Sequence, residues 1–174
     1  MDSYRKLLSA PEKLRAEHDF SEFDCGEPSL DDWLRRRALP NEESGPSRTH
    51  VVCASQEVVG YYALAVGAAA HAEASSHVKR NMPDPVPVMI IGRLAVHKNY
   101  HGKKIGPGLL RDAVLRVLQA AEIAGVRAIL VHAISERARK FYEDSGFTPS
   151  PMDPMTLMIT VAEAVKAFVG EDAR

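Results

Sequence analysis

The sequence predicts a single α/β domain. Its 174 residues suit one core of ordinary size, since a chain of that length buries most of the surface it would expose unfolded. Apolar runs of strand length alternate along it with segments of helical spacing. A hydrophobic content of 45% and a charged content of 26% are those of a globular protein, with no repeat, linker or low-complexity segment to break the pattern.

Taken in order, residues 6–9 read as a short first strand. Ser29 reads as an N-cap with Asp32 three residues on, a variant of the capping box. The helix that follows carries Leu30, Trp33 and Leu34 on one side while Arg35, Arg36 and Arg37 run around it, and the turn residues at 41–46 end it. Residues 49–54 and 58–66 read as strands around a tight turn at 55–57. The stretch 67–87 is small, polar and proline-bearing, with a short helix near 74–80. Its part 81–87 is expected to be irregular, because its prolines lack N–H donors and push each preceding residue to extended geometry. Residues 88–96 read as a buried strand. Helical spacing of Leu109, Leu110, Ala113, Val114, Val117, Leu118 and Ala121 predicts a helix over 107–124 that Gly125 closes. A buried strand at 128–134 follows. Ser135 is placed to cap a helix that bears Tyr142 and stops at Gly146. A strand at 155–161 and an amphipathic helix through Ala164, Val165 and Phe168 complete the chain.

No apolar run approaches the ~20 residues of a membrane span, and Met1-Asp2-Ser3-Tyr4-Arg5 lacks the apolar core of a signal peptide. A cytoplasmic protein without membrane contact is expected. Cys25 and Cys53 are too few for a disulfide framework or a zinc site, and no metal is expected. Net charge is −1, but its distribution is uneven. Residues 1–32 hold nine acids against four bases, whereas residues 77–116 hold eight bases against Asp84 and Asp112. A local basic field attracts a polyanion whatever the overall sum. The simpler account of it is a nucleotide site plus solvated lysines.

The most informative stretch runs from Gly92-Arg93-Leu94-Ala95-Val96 through His97-Lys98-Asn99-Tyr100-His101-Gly102-Lys103-Lys104 to Ile105-Gly106-Pro107-Gly108. It reads as an apolar strand, a basic glycine-punctuated turn and the start of a helix. Turn N–H groups and the positive end of a helix dipole converge there on negative charge, which is how a pyrophosphate is bound. Phe141-Tyr142-Glu143-Asp144-Ser145-Gly146-Phe147 follows one strand later. Together these segments resemble the GNAT family of acyl-coenzyme A-dependent N-acyltransferases. The resemblance implies a mixed, mostly antiparallel sheet flanked by helices, with the strands at 88–96 and 128–134 splayed so that pantetheine enters between them. It implies acetyl-coenzyme A held by Leu94, Ala95, Val96, His101, Gly102, Lys103, Lys104, Ile105, Gly106, Gly108 and Ser135. Three positions depart from the family's pattern. His101 stands where Gln or Arg is usual, Lys104 replaces the first glycine of the turn, and Pro107 has no N–H to give. Because Cβ penalises the left-handed region, Lys104 is expected to hold ordinary helical or bridge dihedrals.

The resemblance implies that Tyr142 is the catalytic acid. Amide formation expels a thiolate; a phenol, with a pKa near ~10 against ~8.5 for a thiol, can protonate it as the tetrahedral intermediate collapses. The competing assignment is a second core aromatic beside Phe141, which reads as core. Backbone N–H groups at 93–95 are placed to polarise the acyl oxygen. No general base stands out: His132 reads as a packed, hydrogen-bonded strand residue, and His50, His97 and His101 are no better placed. An acceptor that is already largely neutral near pH 7, such as an α-amine beside an ester, needs none.

Nearly the whole chain is similar to one GNAT subgroup, the acetyltransferase toxins of bacterial toxin–antitoxin pairs. His18-Asp19-Phe20, Phe23-Asp24-Cys25-Gly26, Ser29-Leu30-Asp31-Asp32-Trp33-Leu34 and Gly60-Tyr61-Tyr62-Ala63-Leu64 carry that likeness. It implies acetylation of the α-amine of aminoacyl-tRNA, a block of translation, neutralisation by a small ribbon-helix-helix antitoxin, and a homodimer. Arg35, Arg36, Arg37, Lys79, Arg80 and Arg93 are then the candidates for tRNA phosphates, being more bases than one coenzyme requires. The alternatives are an acetyltransferase for a small amine or a protein N-terminus, and a non-catalytic acyl-coenzyme A-binding partner in a repressor complex.

Overall fold

The computed structural model describes residues 8–170. Its strands are β1 Glu12–Lys13, β2 Arg48–Ala54, β3 Glu57–Ala69, β4 Val86–Val96, β5 Ala128–His132, β6 Thr148–Pro149 and β7 Thr156–Thr160. Its α-helices are α1 Pro28–Trp33, α2 Leu39–Ser44, α3 Ser76–Lys79, α4 Ile105–Ala121, α5 Glu136–Asp144 and α6 Val161–Ala164. The strands lie in the order β1-β2-β3-β4-β5-β7-β6. β4 and β5 pair parallel, while β1-β2, β2-β3, β5-β7 and β6-β7 pair antiparallel, so the sheet is mixed and mostly antiparallel as the resemblance implied. The backbone divides into two compact units. One combines the residues up to Ala65 with Gly92–Asp112; the other combines Val66–Ile91 with the residues from Ala113 onward.

In the first unit, the strand expected at 6–9 lies partly outside the described residues. Within them Leu8 bridges Ala54, and the Ser9 N–H donates to the Cys53 carbonyl at 2.8 Å. The β2-β3 hairpin turns at Ser55 with φ 57°, and Glu57 already belongs to β3. Ser29 is not the cap of the first helix. Glu27 occupies that position in extended geometry and Pro28 opens the first turn, where proline's missing N–H has no carbonyl to lose. The acids near Ser29 do other work: buried Asp31 accepts the Cys25 N–H at 2.9 Å and so holds the preceding loop. The helical path continues into the turn expected at 41–46 and ends within it, at Ser44. Pro40 has no N–H for the carbonyl of Arg36, and the turn ahead of it widens to a π segment, Leu34–Ala38, before α2 resumes. Gly45 ends α2 at φ 100°, its N–H on the Asn41 carbonyl at 2.8 Å. Phe23, Leu30, Leu34, Ala38, Val51, Cys53, Val58, Tyr61 and Ala95 form this unit's core, with Trp33 packed against it. Fully burying a large apolar side chain contributes roughly 1.5–3 kcal/mol.

α4 starts two residues before the expected 107 and ends at Ala121, three short of the expected 124. It approaches β3 closely at Gly60, where a Cβ would stand 3.0 Å from Leu109 Cδ1 and 3.2 Å from Ile105 Cγ2.

In the second unit, β4 starts at Val86 despite Pro87. Proline's missing donor is tolerated at a strand's start, and the Pro87 carbonyl still accepts the Arg127 N–H at 2.9 Å. β4 is half-buried, with Val86 and Val88 buried on one face and Ile91 and Ala95 on the other, rather than buried throughout. Residues 67–69, expected as loop, extend β3. The helix foreseen near 74–80 is α3, capped by Ser75 and held by the Arg127 guanidinium on the Val78 and His77 carbonyls at 3.1 and 2.7 Å. β5 stops at His132, leaving Ile134 exposed. Thr160 and Glu163 form a full capping box that opens α6. Ala69, Ala74, Val78, Val86, Val88, Ala128, Leu130 and Met158 make up this unit's core. Among the described residues no helix is long and apolar enough to cross a membrane.

Candidate active site

β4 and β5 share four register pairs, Val88–Ile91 against Ala128–Val131, and β4 runs on five residues past the last of them. Along that extension the side chains alternate. Val96 reaches the first turn of α4, where its Cγ2 would meet a Cβ built on Gly106 at 3.9 Å. Ala95 packs on the opposite face with Tyr61 and Leu30.

The turn after Val96 is fixed at each step. The His97 N–H donates to the Val59 carbonyl at 2.8 Å, and its Nδ1 accepts the Asn99 N–H at 3.1 Å. Lys98 is held twice by Asp24: N–H to carbonyl at 2.8 Å, and ammonium to carboxylate at 2.8 Å. His101 Nε2 lies 2.7 Å from the Val96 carbonyl and donates to it, which closes the loop. Gly102 then takes φ 78° and Lys104 φ 63°.

Lys104 thus departs from the ordinary dihedrals expected of it. The backbone here changes sign of φ at each residue from Gly102 to Ile105, the alternating hand in which successive N–H groups face a common anion. The fold imposes that geometry although the residue carries a Cβ, at a cost of roughly 1–2 kcal/mol. Lys104→Gly should therefore raise stability, by up to about 1 kcal/mol once glycine's extra unfolded-state entropy is set against the relief. Urea unfolding measures this; a clear loss would mean that the lysine side chain makes a stabilising contact of its own. Directly after the turn, the N–H groups of Ile105 and Gly106 open α4 with no carbonyl a helical turn behind them, and no acid sits in that first turn. Gly108 gives its N–H to the Lys104 carbonyl at 3.3 Å.

In the second unit, Ser135 caps α5 with its Oγ on the Ala138 N–H at 3.1 Å. Tyr142 lies two turns on and is buried. Its ring packs 5.3 Å from Phe141 and 5.7 Å from Phe147, and burial pushes its pKa up to about 12. Phe141, expected as the core member of the pair, is only half-buried; helical rotation points Tyr142 inward instead. The helix stops as foreseen at Gly146, φ 108°, with the Gly146 N–H on the Glu143 carbonyl and the Phe147 N–H on that of Tyr142. His132 is exposed rather than packed, its Nδ1 3.1 Å from Thr156 Oγ1. His50 stacks on Tyr62 at 5.2 Å.

The basic candidates divide. The Arg35 guanidinium is engaged within its own unit, 2.6 Å from the Phe23 carbonyl and 3.3 Å from Asp32, and stays exposed. Arg36 and Arg37 are exposed on the π segment, as are Lys79 and Arg80 at the end of α3. Arg93 lies over the Trp33 ring, 4.5 Å from its centroid, and Trp33 stacks on Tyr61. That aromatic support escaped sequence reading, since Trp33 and Tyr61 are distant in sequence and each reads as plain core. Glu12, His18 and Cys53 bring potential ligand atoms within 4.8 Å of one another. They do not suit a metal: His18 Nδ1 accepts the Arg15 N–H, so the proton stays on Nε2, which faces Glu12 at 2.8 Å.

An N–H-lined turn between an overrunning strand and a helix, followed one strand later by a helix that bears a buried tyrosine, is the order of elements that the resemblance to N-acyltransferases implies. Residues 46–149 match the model of the acetyltransferase (GNAT) domain, and the chain belongs to that family. It is 50% identical over 163 residues to a tRNA-acetylating toxin of Mycobacterium tuberculosis (strain ATCC 25618 / H37Rv), a match covering 94% of this chain and 98% of that one. Among solved structures it is similar to the toxin AtaT complexed with acetyl-methionyl-tRNAfMet, with TM-score 0.82, 26% identity, and 89% of this chain and 95% of that one covered. It is also similar to a Tyr-to-Phe mutant of AtaT bound to acetyl-CoA and the C-terminus of the antitoxin AtaR, with TM-score 0.81, 25% identity, and 93% and 98% covered.

Proposed function

We propose that this enzyme is a toxin that transfers the acetyl group of acetyl-coenzyme A to the α-amine of aminoacyl-tRNA and so blocks translation. The observation that carries this reading is the 50% identity, over 94% of the chain, to a tRNA-acetylating toxin.

The residues of the site fit the donor. The N–H groups from Gly102 through Gly106, with Lys103, Lys104 and His101 around them, suit a diphosphate, and the Gly108 backbone continues that turn. Leu94, Ala95 and Val96 offer strand backbone to the pantetheine amides, and Ser135 a hydroxyl at the cap of α5. N–H groups at 93–95 polarise the acyl oxygen as the amine attacks it. Tyr142 holds its proton throughout the physiological range and gives it to the sulfur as the C–S bond breaks. The α-amine of an aminoacyl ester loses its own proton near neutral pH and requires no strong base.

In this reading an antitoxin of ribbon-helix-helix type neutralises the protein, its C-terminal segment lying against the basic residues of the coenzyme or acceptor site, and the toxin acts as a homodimer in the cytoplasm. Expression of this chain alone should arrest growth. Harmless expression of active protein would favour the small-amine alternative.

The direct test is transfer of labelled acetyl to a mixture of charged tRNAs, followed by salt titration. Each phosphate neutralised adds roughly 0.7–0.9 to the log–log salt slope. Arg36→Ala with Arg80→Ala should raise KM for charged tRNA and flatten that slope by up to about 1.8, with acetyl-coenzyme A affinity unchanged. Identical slopes in the two proteins would remove these arginines from the RNA surface, and a wild-type KM insensitive to salt would remove tRNA.

A further inference from the structure

Arg93 differs from the other candidate bases, Arg36, Arg37, Lys79 and Arg80, which are exposed, in being half-buried, and burial works against its charge. Among the described residues it has neither an ion pair nor a hydrogen bond. Its support is aromatic. The Trp33 ring covers the guanidinium at 4.5 Å and stacks on Tyr61, with centroids 6.0 Å apart and planes 8° from parallel. Tyr61 is fully buried, its hydroxyl donating to the Leu30 carbonyl at 2.7 Å, so the support is anchored in the core. A cation held over a ring, partly out of water and without a counter-charge among the described residues, is placed to receive an anion.

The coenzyme's diphosphate does not suit that role. Strand alternation puts Arg93 with Ala95 on the Trp33 face of β4, whereas Val96 faces the first turn of α4, where the diphosphate is proposed to lie. In the reading proposed above the acyl group lies beside the N–H groups at 93–95, so an anion on Arg93, two residues or roughly 7 Å of strand from Ala95, sits near the acyl carbon. A free amino acid ester or a peptide N-terminus carries no anion so close to its amine. The charged end of an RNA does, in the phosphate on the 5′ side of its terminal nucleoside.

We infer that Trp33 is a positioning residue, holding the Arg93 guanidinium so that its fork takes the phosphate 5′ to the terminal nucleoside of the charged RNA. The inference rests on the aminoacyl-tRNA reading and names the part of that substrate the site recognises.

Two small acceptors test it: an aminoacyl ester of adenosine, and the same ester of adenosine 5′-monophosphate. The amino acid is the one that the charged-tRNA assay shows to be accepted. The readout is the ratio of their KM values on one protein, in which any general loss of activity cancels. Wild type should favour the phosphate-bearing ester by on the order of tenfold or more, as a hydrogen bond to a charged group implies. Trp33→Leu fills the site without a π face and should cut that ratio to about threefold or less. Arg93→Lys keeps the charge but loses the planar fork and should do the same. Trp33→Phe should keep most of the ratio. Should the leucine variant fail to fold, the phenylalanine and lysine variants still decide. A ratio unchanged in Trp33→Leu or Arg93→Lys overturns the inference, as does a wild-type ratio near one when charged tRNA is acetylated. Acetylation of neither ester and of no charged tRNA would overturn the aminoacyl-tRNA reading itself.

Discussion

Tyr142→Phe should lower acetyl transfer by about 10²–10⁴-fold while leaving the protein folded. The ring packs 5.3 Å from Phe141 and 5.7 Å from Phe147, contacts that phenylalanine reproduces. What the substitution deletes is a proton that burial makes hard to lose, with the hydroxyl's pKa pushed up to about 12. The shift keeps the hydroxyl protonated up to the moment a thiolate leaves beside it, so that the transfer depends on contact with the sulfur rather than on a strongly acidic phenol. Because a raised pKa moves phenolate formation to higher pH, the wild-type rate should show no descending limb from Tyr142 below about pH 10. Transfer to charged tRNA and thermal melting, measured side by side, check both halves. Near wild-type turnover in the mutant would take Tyr142 out of the mechanism.

Gly106→Asp should all but abolish acetyl-coenzyme A binding. The nearest atom to a Cβ at this position is Val96 Cγ2 at 3.9 Å, so the side chain fits, and an acid in a first helical turn favours the helix dipole. The damage is therefore electrostatic. A carboxylate ~4 Å from a phosphate costs about 4 kcal/mol at an effective dielectric near 20, or about 10³-fold in affinity. Lys103→Glu should weaken binding less, since side-chain charge is one contributor beside the backbone N–H groups. Calorimetry with coenzyme A measures both. Unchanged affinity in the aspartate mutant would place the diphosphate elsewhere.

The parts of this molecule with local causes were legible in the sequence. The β2-β3 hairpin, the helix carrying Leu109 to Val117, the Ser135 cap and the Gly146 stop follow from residue spacing and turn chemistry within a few positions. Errors gathered where one local rule met a competing one. Ser29 and Asp32 have the spacing of a cap, but Pro28 one residue earlier fixes the helix start and leaves Ser29 inside it. The turn residues at 41–46 read as the helix end, yet a π turn absorbs the missing donor of Pro40 and α2 runs on to Ser44. Lys104 reads as unable to hold a positive φ, and the surrounding turn holds it there. In the candidate site, the turn and the tyrosine were legible because their chemistry is contiguous. The Trp33-Tyr61-Arg93 group was not, since three separate segments build it and no spacing rule links them.

The double hold of Asp24 on Lys98 bears on where this enzyme begins as a functional object. Phe23 meets His97 edge-on at 6.0 Å, Asp24 grips Lys98 by backbone and carboxylate, and both partners lie in the stretch that leads to the N–H-lined turn. The family match starts only at residue 46, downstream of that bracket and of Trp33 as well. A boundary drawn there would be a cut through a load path rather than a seam. Trimmed to the shared region, the chain would keep the N–H-lined turn and lose the brace that holds the turn in shape. The segment ahead of residue 46 is thus part of the enzyme's chassis, and grafting it between relatives would transplant turn geometry with it.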